Sequence, residues 1–153
     1  MKLRDIMITT KTATSDMKVR EFVIECTRAG IPALPYTTAS GRIRGRVTLK
    51  NVLKVTYLPE YIVDSARFLG DQLFKIKDIG AKTNQMMENS VEIFMQDPHL
   101  TIKSDAAAFK ALAMMEQDDT SYIFVVDDGQ YRGVVTIQSL ARTFLGIDEG
   151  STL

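Results

Sequence analysis

Residues 15–53 read SDMKVREFVIECTRAGIPALPYTTASGRIRGRVTLKNVL, and residues 104–141 read SDAAAFKALAMMEQDDTSYIFVVDDGQYRGVVTIQSLA. The second stretch is a rewritten copy of the first. Across 12–53 and 101–141 the offset is 89, falling to 88 once a residue is lost from the turn. Thr12, Ser15, Asp16, Gly41, Arg44, Gly45, Val47 and Thr48 recur as Thr101, Ser104, Asp105, Gly129, Arg132, Gly133, Val135 and Thr136. Two copies of one small unit are expected to pack against each other, because neither buries its apolar face alone. A small ligand would then sit in the cleft between them.

Each copy opens on an amphipathic helix. Val19, Phe22, Val23 and Cys26 fall at i, i+3, i+4 and i+7, and Ala108, Ala111, Leu112 and Met115 hold the same places in the second copy. Ser15 or Asp16, and the pair Ser104–Asp105, are placed to cap these helices. Gly30 ends the first, since glycine enters the left-handed region without a steric penalty. Two strands around a turn follow. Ala33–Tyr36 and Ile43–Val47 flank TTASG, and Ile123–Val126 and Tyr131–Val135 flank DDG, which is hairpin chemistry. Thr48 and Thr136 then lead into second helices carrying Val52 and Leu53, or Leu140. A short strand is expected before each unit, at Ala13 and at Thr101–Ile102.

Residues 55–92 interrupt the symmetry. Ile62, Ala66, Leu69 and Leu73 share a helical face, with Pro59 placed to start that helix and Gly70 to loosen it. A further helix is expected across Thr83–Ile93. Such an insert either covers the core, mediates self-association, or binds a partner.

Composition sets broad limits. With 153 residues, 45% apolar and 25% charged, the chain can build one compact domain or two small units sharing a core. A net charge of zero disfavours long-range attraction to nucleic acid or an anionic membrane. No apolar run approaches the roughly 20 residues of a membrane span, and MKLRDIMITT lacks the apolar centre of a signal peptide. Cys26 is alone and lies on a helix stripe, so it reads as core, and a cytoplasmic location is expected. Enzyme signatures are missing: there is no phosphate-binding Gly-rich loop, no nucleophile elbow and no zinc-type cysteine–histidine cluster. The pairs Asp118–Asp119 and Asp127–Asp128 fall in turns and read as turn formers. No catalytic and no metal site is therefore expected.

The repeated order of helix, Gly-Ile-Pro-Ala-Leu-Pro strand, glycine turn, Gly-x-Val-Thr and helix resembles a CBS domain. The whole chain is similar to a tandem CBS pair, a Bateman module, over about residues 3–54 and 91–145. The resemblance implies an α+β fold of two β-α-β-β-α repeats about a pseudo-twofold axis, with the insert between them. The expected division is residues 1–54, an inserted helical linker at 55–90, and residues 91–153. It also implies a regulatory role, adenosine derivatives (AMP, ADP or ATP) bound in clefts between the repeats, and assembly into a homodimer. No cofactor is required.

The candidate site residues follow. Thr48 stands at a helix start, where free amides and the positive helix end favour an anion. Asn51 lies one turn on, where the family usually has an aspartate for the ribose hydroxyls; the amide keeps an acceptor but loses the charge. Thr136 and Ser139 are the second pair, and the shorter serine offers one hydrogen bond at best. Alternatively, both threonines only cap helices and Asn51 is solvated. By the resemblance, Ile31, Pro32 and Ala33 form the adenine-binding strand edge, with Ser121 and Tyr122 in the second copy. Tyr122 either stacks on a base or fills the cleft. The lead-in segments, Thr10 to Thr12 and His99 to Thr101, supply the other wall, although His99 also reads as an exposed loop residue. Arg42, Arg44 and Arg46 alternate on one strand face, with Arg42 reading as solvated. Arg44 and its repeat Arg132 are the candidates for a polyphosphate tail.

Two functions are compatible with this pattern. One is a sensor in which an adenine nucleotide in the inter-repeat cleft alters dimer or partner contacts. The other is a ligand-independent interaction module that docks a transporter or enzyme through the inserted helix.

Overall fold

Both copies fold as helix, hairpin and helix in a computed structural model that describes residues 1–58, 60–68, 79–97 and 99–147. The first contains α1 (Val19–Ala29), β1 (Ala33–Thr37), β2 (Ile43–Thr48) and α2 (Leu49–Tyr57). The insert contributes α3 (Glu60–Asp64) and α4 (Ile79–Glu88). The second copy contains β3 (Thr101–Ile102), α5 (Ala108–Gln117), β4 (Tyr122–Asp127), β5 (Gln130–Thr136) and α6 (Ile137–Leu145). Pro59, Leu69, Gly70, Leu73 and Pro98 lie outside the described residues.

Both hairpins are antiparallel, with Ala33 opposite Thr48 and Tyr122 opposite Thr136. The expected lead-in strand is real in the second copy, where β3 runs parallel to β4. In the first it shrinks to one parallel bridge, Ala13 with Tyr36. The α1 face buries Val19, Phe22 and Cys26, and the α5 face buries Ala108, Ala111 and Met115. Gly30 closes α1 at φ 67°, as expected. The first core also takes in Phe124 and Val134 from the second copy, so the two halves share apolar contacts.

The segments that lead into each repeat cross to the other one. Lys2 bridges Ala107 and Ile8 bridges Val134, while Ser90 bridges Lys18 and Gln96 bridges Arg46. Leu3 is fully buried in the second core, whereas Val91 and Phe94 are buried in the first. Division by chain position and division by packing thus differ: 2–8 completes the second unit and 90–96 the first.

This crossing explains a departure from the sequence reading. Ser15, Asp16, Ser104 and Asp105 cap neither helix. Lys18 and Ala107 occupy the cap positions, without side-chain caps. The first helical amides instead find carbonyls of the crossing strands: Val19 N donates to Asn89 O at 2.9 Å, and Ala108 N to Met1 O at 3.1 Å. A capping side chain is redundant when a backbone acceptor is already there.

The expected Thr83–Ile93 helix ends at Glu88. Ser90 is extended, and its hydroxyl donates to Ser15 O at 2.7 Å. The chain then re-coils as a 3₁₀ turn, Val91–Phe94, because Val91 must enter the first core. α4 covers that core: Met86 is buried, Tyr57 and Thr83 share a hydroxyl hydrogen bond, and Glu88 pairs with Lys18 at 2.8 Å. Ile62 is buried, but Ala66 and Leu53 are exposed.

Candidate functional site

Thr48 ends β2 and caps α2, its hydroxyl accepting from Asn51 N at 3.0 Å. Leu49 N donates to Pro32 O at 2.9 Å. Two of the first three helical amides are therefore used, and the helix end offers an anion less than its position suggested. Asn51 Nδ2 donates to Phe94 O at 3.2 Å, on the crossing segment. That bond fixes the amide, and Oδ1 accepts none of the described hydrogen bonds.

These residues border an inter-repeat cleft of about 440 Å³. From the first copy come Pro32, Arg46, Thr48, Lys50, Asn51 and Lys54; from the second come Asp119, Thr120, Ser121 and Tyr122, with Gln96 between them. The volume lies in the range of small-molecule sites, about 300–1,000 Å³. The structure thus brings Pro32, Thr48 and Asn51 of the first copy's candidate set together with Ser121 and Tyr122, which the sequence reading assigned to the second copy's strand edge.

The second pair is arranged differently. Thr136 and Ser139 are buried and form a capping box: Thr136 N donates to Ser139 Oγ at 2.9 Å, and Ser139 N donates to Thr136 Oγ1 at 3.2 Å. Ser139 Oγ also donates to Thr136 O at 2.8 Å. Both hydroxyls serve the turn itself. A hollow of about 430 Å³ touches Ser139, but its other walls are Met1, Asp5, Ile6 and the end of α6 rather than the strand edge.

The remaining candidates disperse. Ile31 and Ala33 are core side chains. Thr10 shares a 2.6 Å hydrogen bond with the Tyr131 hydroxyl, whose burial pushes that phenol up to about 12. Thr12 accepts from Thr37 at 2.9 Å. Arg44 is exposed; Arg132 is exposed too and stands 3.9 Å from Asp127. None of these six lines the cleft.

His99 departs from the exposed-loop reading. It is half-buried and lines a neighbouring hollow of about 300 Å³ with Arg46, Leu100, Asp118, Thr120 and Tyr122. Arg46 Nη1 donates to the Tyr122 hydroxyl at 3.0 Å, and this bridge stands between the two spaces. Tyr122 packs against Phe124 at 5.4 Å; burial raises its phenol above the usual range, opposed by the Arg46 charge. Sequence reasoning grouped Arg46 with the strand-face arginines and passed over Lys50, Lys54, Gln96 and Thr120. The signal for Arg46 was present in the repeat, since its counterpart is Val134, an interior residue.

Among the described residues, no cluster of three or more His, Cys, Asp and Glu side chains could hold a metal. No described helix is long and apolar enough to cross a membrane.

Residues 90–146 match the CBS domain family. No curated protein sequence matches the chain. Solved structures share its fold. The CBS domain of a CBS domain-containing membrane protein from Sphaerobacter thermophilus is 19% identical with a TM-score of 0.67, over 92% of this chain and 86% of that one. A CBS domain-containing protein from Kribbella flavida is 16% identical with a TM-score of 0.69, over 95% and 99%. The CBS domain pair of protein MJ0100, in complex with 5′-methylthioadenosine and S-adenosyl-L-methionine, is 19% identical with a TM-score of 0.62, over 97% and 98%.

Proposed function

The chain has the fold of a tandem CBS-domain pair, a Bateman module, and we propose that it is a non-catalytic regulatory module that binds an adenosine derivative in the cleft between its repeats. The observation that carries this is the meeting of Pro32, Thr48 and Asn51 with Ser121 and Tyr122 around one cleft. In this reading Asn51 Oδ1, oriented by the Nδ2 bond to Phe94 O, accepts from a ribose hydroxyl. Pro32 and Tyr122 flank the base. The ligands to try are AMP, ADP, ATP and NAD, with S-adenosylmethionine and methylthioadenosine added because a structural relative holds them. Binding spans both repeats, so it stiffens their contact and alters the surface shown to a second copy or to a regulated enzyme or transporter.

A thermal-shift panel of these compounds tests the reading. A ligand at a hundred times its Kd adds about 2.7 kcal/mol, worth roughly 5–10 °C for a domain of this size. No shift with any of the six would remove the proposal.

A ligand-independent docking role has one observation behind it. Leu53, Val55, Leu58, Val63, Ile79 and Ile93 are exposed apolar side chains of α2 and its C-cap, α3, α4 and the turn after α4. Under that reading, Val55→Asp with Ile93→Asp abolishes association in sedimentation runs, with or without nucleotide.

A further inference from the structure

Arg46 breaks the internal repeat. Where the second copy reads Gly133-Val134-Val135, the first reads Gly45-Arg46-Val47. The backbones match: Val134 exchanges two hydrogen bonds with Ile8, and Arg46 exchanges two with Gln96. Only the side chain differs. Val134 is fully buried among apolar neighbours. A guanidinium in the corresponding place needs acceptors, because its five donors are never deprotonated in a protein. Arg46 has one side-chain acceptor, the Tyr122 hydroxyl. Its Nε is buried with no hydrogen-bond partner.

A second buried nitrogen around the same hollow is also without a partner. His99 Nδ1, contributed by the lead-in to the second repeat, is the other orphan among the described residues. Buried polar atoms are paired in the great majority of cases, so each exception needs a cause. Here two exceptions of the same kind belong to side chains that line one 300 Å³ space. That space adjoins the main cleft, because Arg46, Thr120 and Tyr122 border both. Lys50 and Lys54 add positive charge on the cleft side, while Asp118, exposed, lines the hollow itself and opposes an anion there.

We propose that this side hollow is a subsite for the anionic tail of the bound adenosine derivative, a phosphoryl or carboxylate group to which the Arg46 guanidinium and the His99 ring turn their unpaired nitrogens. The inference rests on the adenosine reading of the main cleft and adds to it a ligand class: charged adenosine derivatives in preference to the neutral nucleoside. The guanidinium fork suits either oxyanion. His99 contributes as a donor when its Nδ1 carries the proton.

Calorimetric titration of adenosine, AMP, ADP, S-adenosylmethionine and inorganic phosphate tests this, against the wild-type chain and Arg46→Val, His99→Ala and Asp118→Asn. Arg46→Val installs the residue that the second copy uses at the same register, and far-UV dichroism checks its fold. Should it misfold, His99→Ala carries the test alone. The expected result is that wild type prefers a charged ligand over adenosine. Arg46→Val cuts that preference about tenfold to a hundredfold, the worth of a charged hydrogen bond, and lowers adenosine affinity by much less, through the lost Tyr122 hydrogen bond alone. Asp118→Asn strengthens the charged ligands. Loss confined to AMP and ADP assigns a phosphoryl tail, and loss confined to S-adenosylmethionine a carboxylate. A preference for AMP or S-adenosylmethionine that survives Arg46→Val overturns the subsite while the cleft reading stands. Failure of adenosine and all its derivatives to bind overturns the cleft reading and, with it, an adenosine tail as the occupant; phosphate binding that Arg46→Val abolishes would then make the hollow an anion site alone.

Discussion

Gly45→Ala tests the crossing of the lead-in segments. A methyl group on Gly45 would lie 2.5 Å from the Met95 sulfur, 2.6 Å from Gln96 O and 3.0 Å from an Asp97 carboxylate oxygen. Met95 can swing aside. Gln96 O cannot, because it accepts from Arg46 N at 2.8 Å while Gln96 N donates to Arg46 O at 2.8 Å. To make room, the segment must move by about half an ångström, and this loosens both bonds. Each backbone bond is worth about 1 kcal/mol net, and a forced methyl adds about 1–3 kcal/mol. The expected loss is therefore about 2–5 kcal/mol in urea unfolding, and roughly 5–15 °C in Tm. Gly133→Ala is the matched variant, with Ile8 O at 2.8 Å, and should also destabilise. The two should part in ligand binding. Displacing 94–96 disturbs Phe94 O, which holds Asn51, and Gln96, which borders the cleft; displacing Ile8 touches neither. Gly80→Ala near the start of α4 meets nothing within 4 Å and should be neutral or stabilising. A Gly45→Ala protein within 0.5 kcal/mol of wild type would mean that the crossing strand is not seated as described.

Three further outcomes follow from particular side chains. Asn51→Ala should remove most of the ligand-induced thermal shift, whereas Ser139→Ala should cost about 1 kcal/mol of stability through its cap and leave the shift intact. Glu25 is buried, accepts from Lys11 N and both faces of the Arg28 fork, and its carboxyl is held down at about 2, chiefly by Arg28. A depressed folded pKa makes this contribution full above about pH 5 and lost as pH falls toward 2. Glu25→Gln should accordingly flatten the acid limb of the stability profile and cost about 1–3 kcal/mol at neutral pH, measured by urea unfolding across pH. Cys26 is buried with its thiol pushed up to about 12 by desolvation, so a thiol reagent should label it only at the rate of unfolding. Fast labelling in native buffer would contradict the packing of α1.

The fold was legible because the signals that set it are local and occur twice. Helical periodicity, the glycine at the end of α1 and the hairpin turns each point to one element without reference to distant chain. What was not legible depends on where the chain crosses. Ser15 and Asp16 look like caps until Asn89 O arrives to take the Val19 amide. The 83–93 stretch reads as a single helix until Val91 is required in the first core. The site divides in the same way. Thr48 and Asn51 are tied by their own turn, and Pro32 is joined to it through Leu49 N, so spacing alone brought them near one another. Thr10, Thr12, Arg44 and Arg132 depended on which side of a strand or lead-in faces the other repeat. Arg46 could have been found by asking which repeat position holds an interior residue in one copy and a charge in the other.

That comparison also shows how the two halves differ at the positions of the proposed site. In the second copy the cap box is closed: Ser139 satisfies the turn from within, and its partner Thr136 is buried beneath it. In the first copy the longer Asn51 side chain reaches past its own turn to Phe94 O, leaving an acceptor for something else. Val134 fills the second copy's inner wall, while Arg46 holds a space open in the first. Under the proposed reading, these two differences between the copies gather unsatisfied polar groups at one cleft. Because that cleft is bordered by both repeats and by the crossing residue Gln96, a ligand there bears on the contacts between the repeats. It can shift their arrangement only by its difference in affinity for the two states, and under the proposed subsite a neutral nucleoside, which leaves Arg46 Nε and His99 Nδ1 unpaired, has less of that difference to give than a charged one.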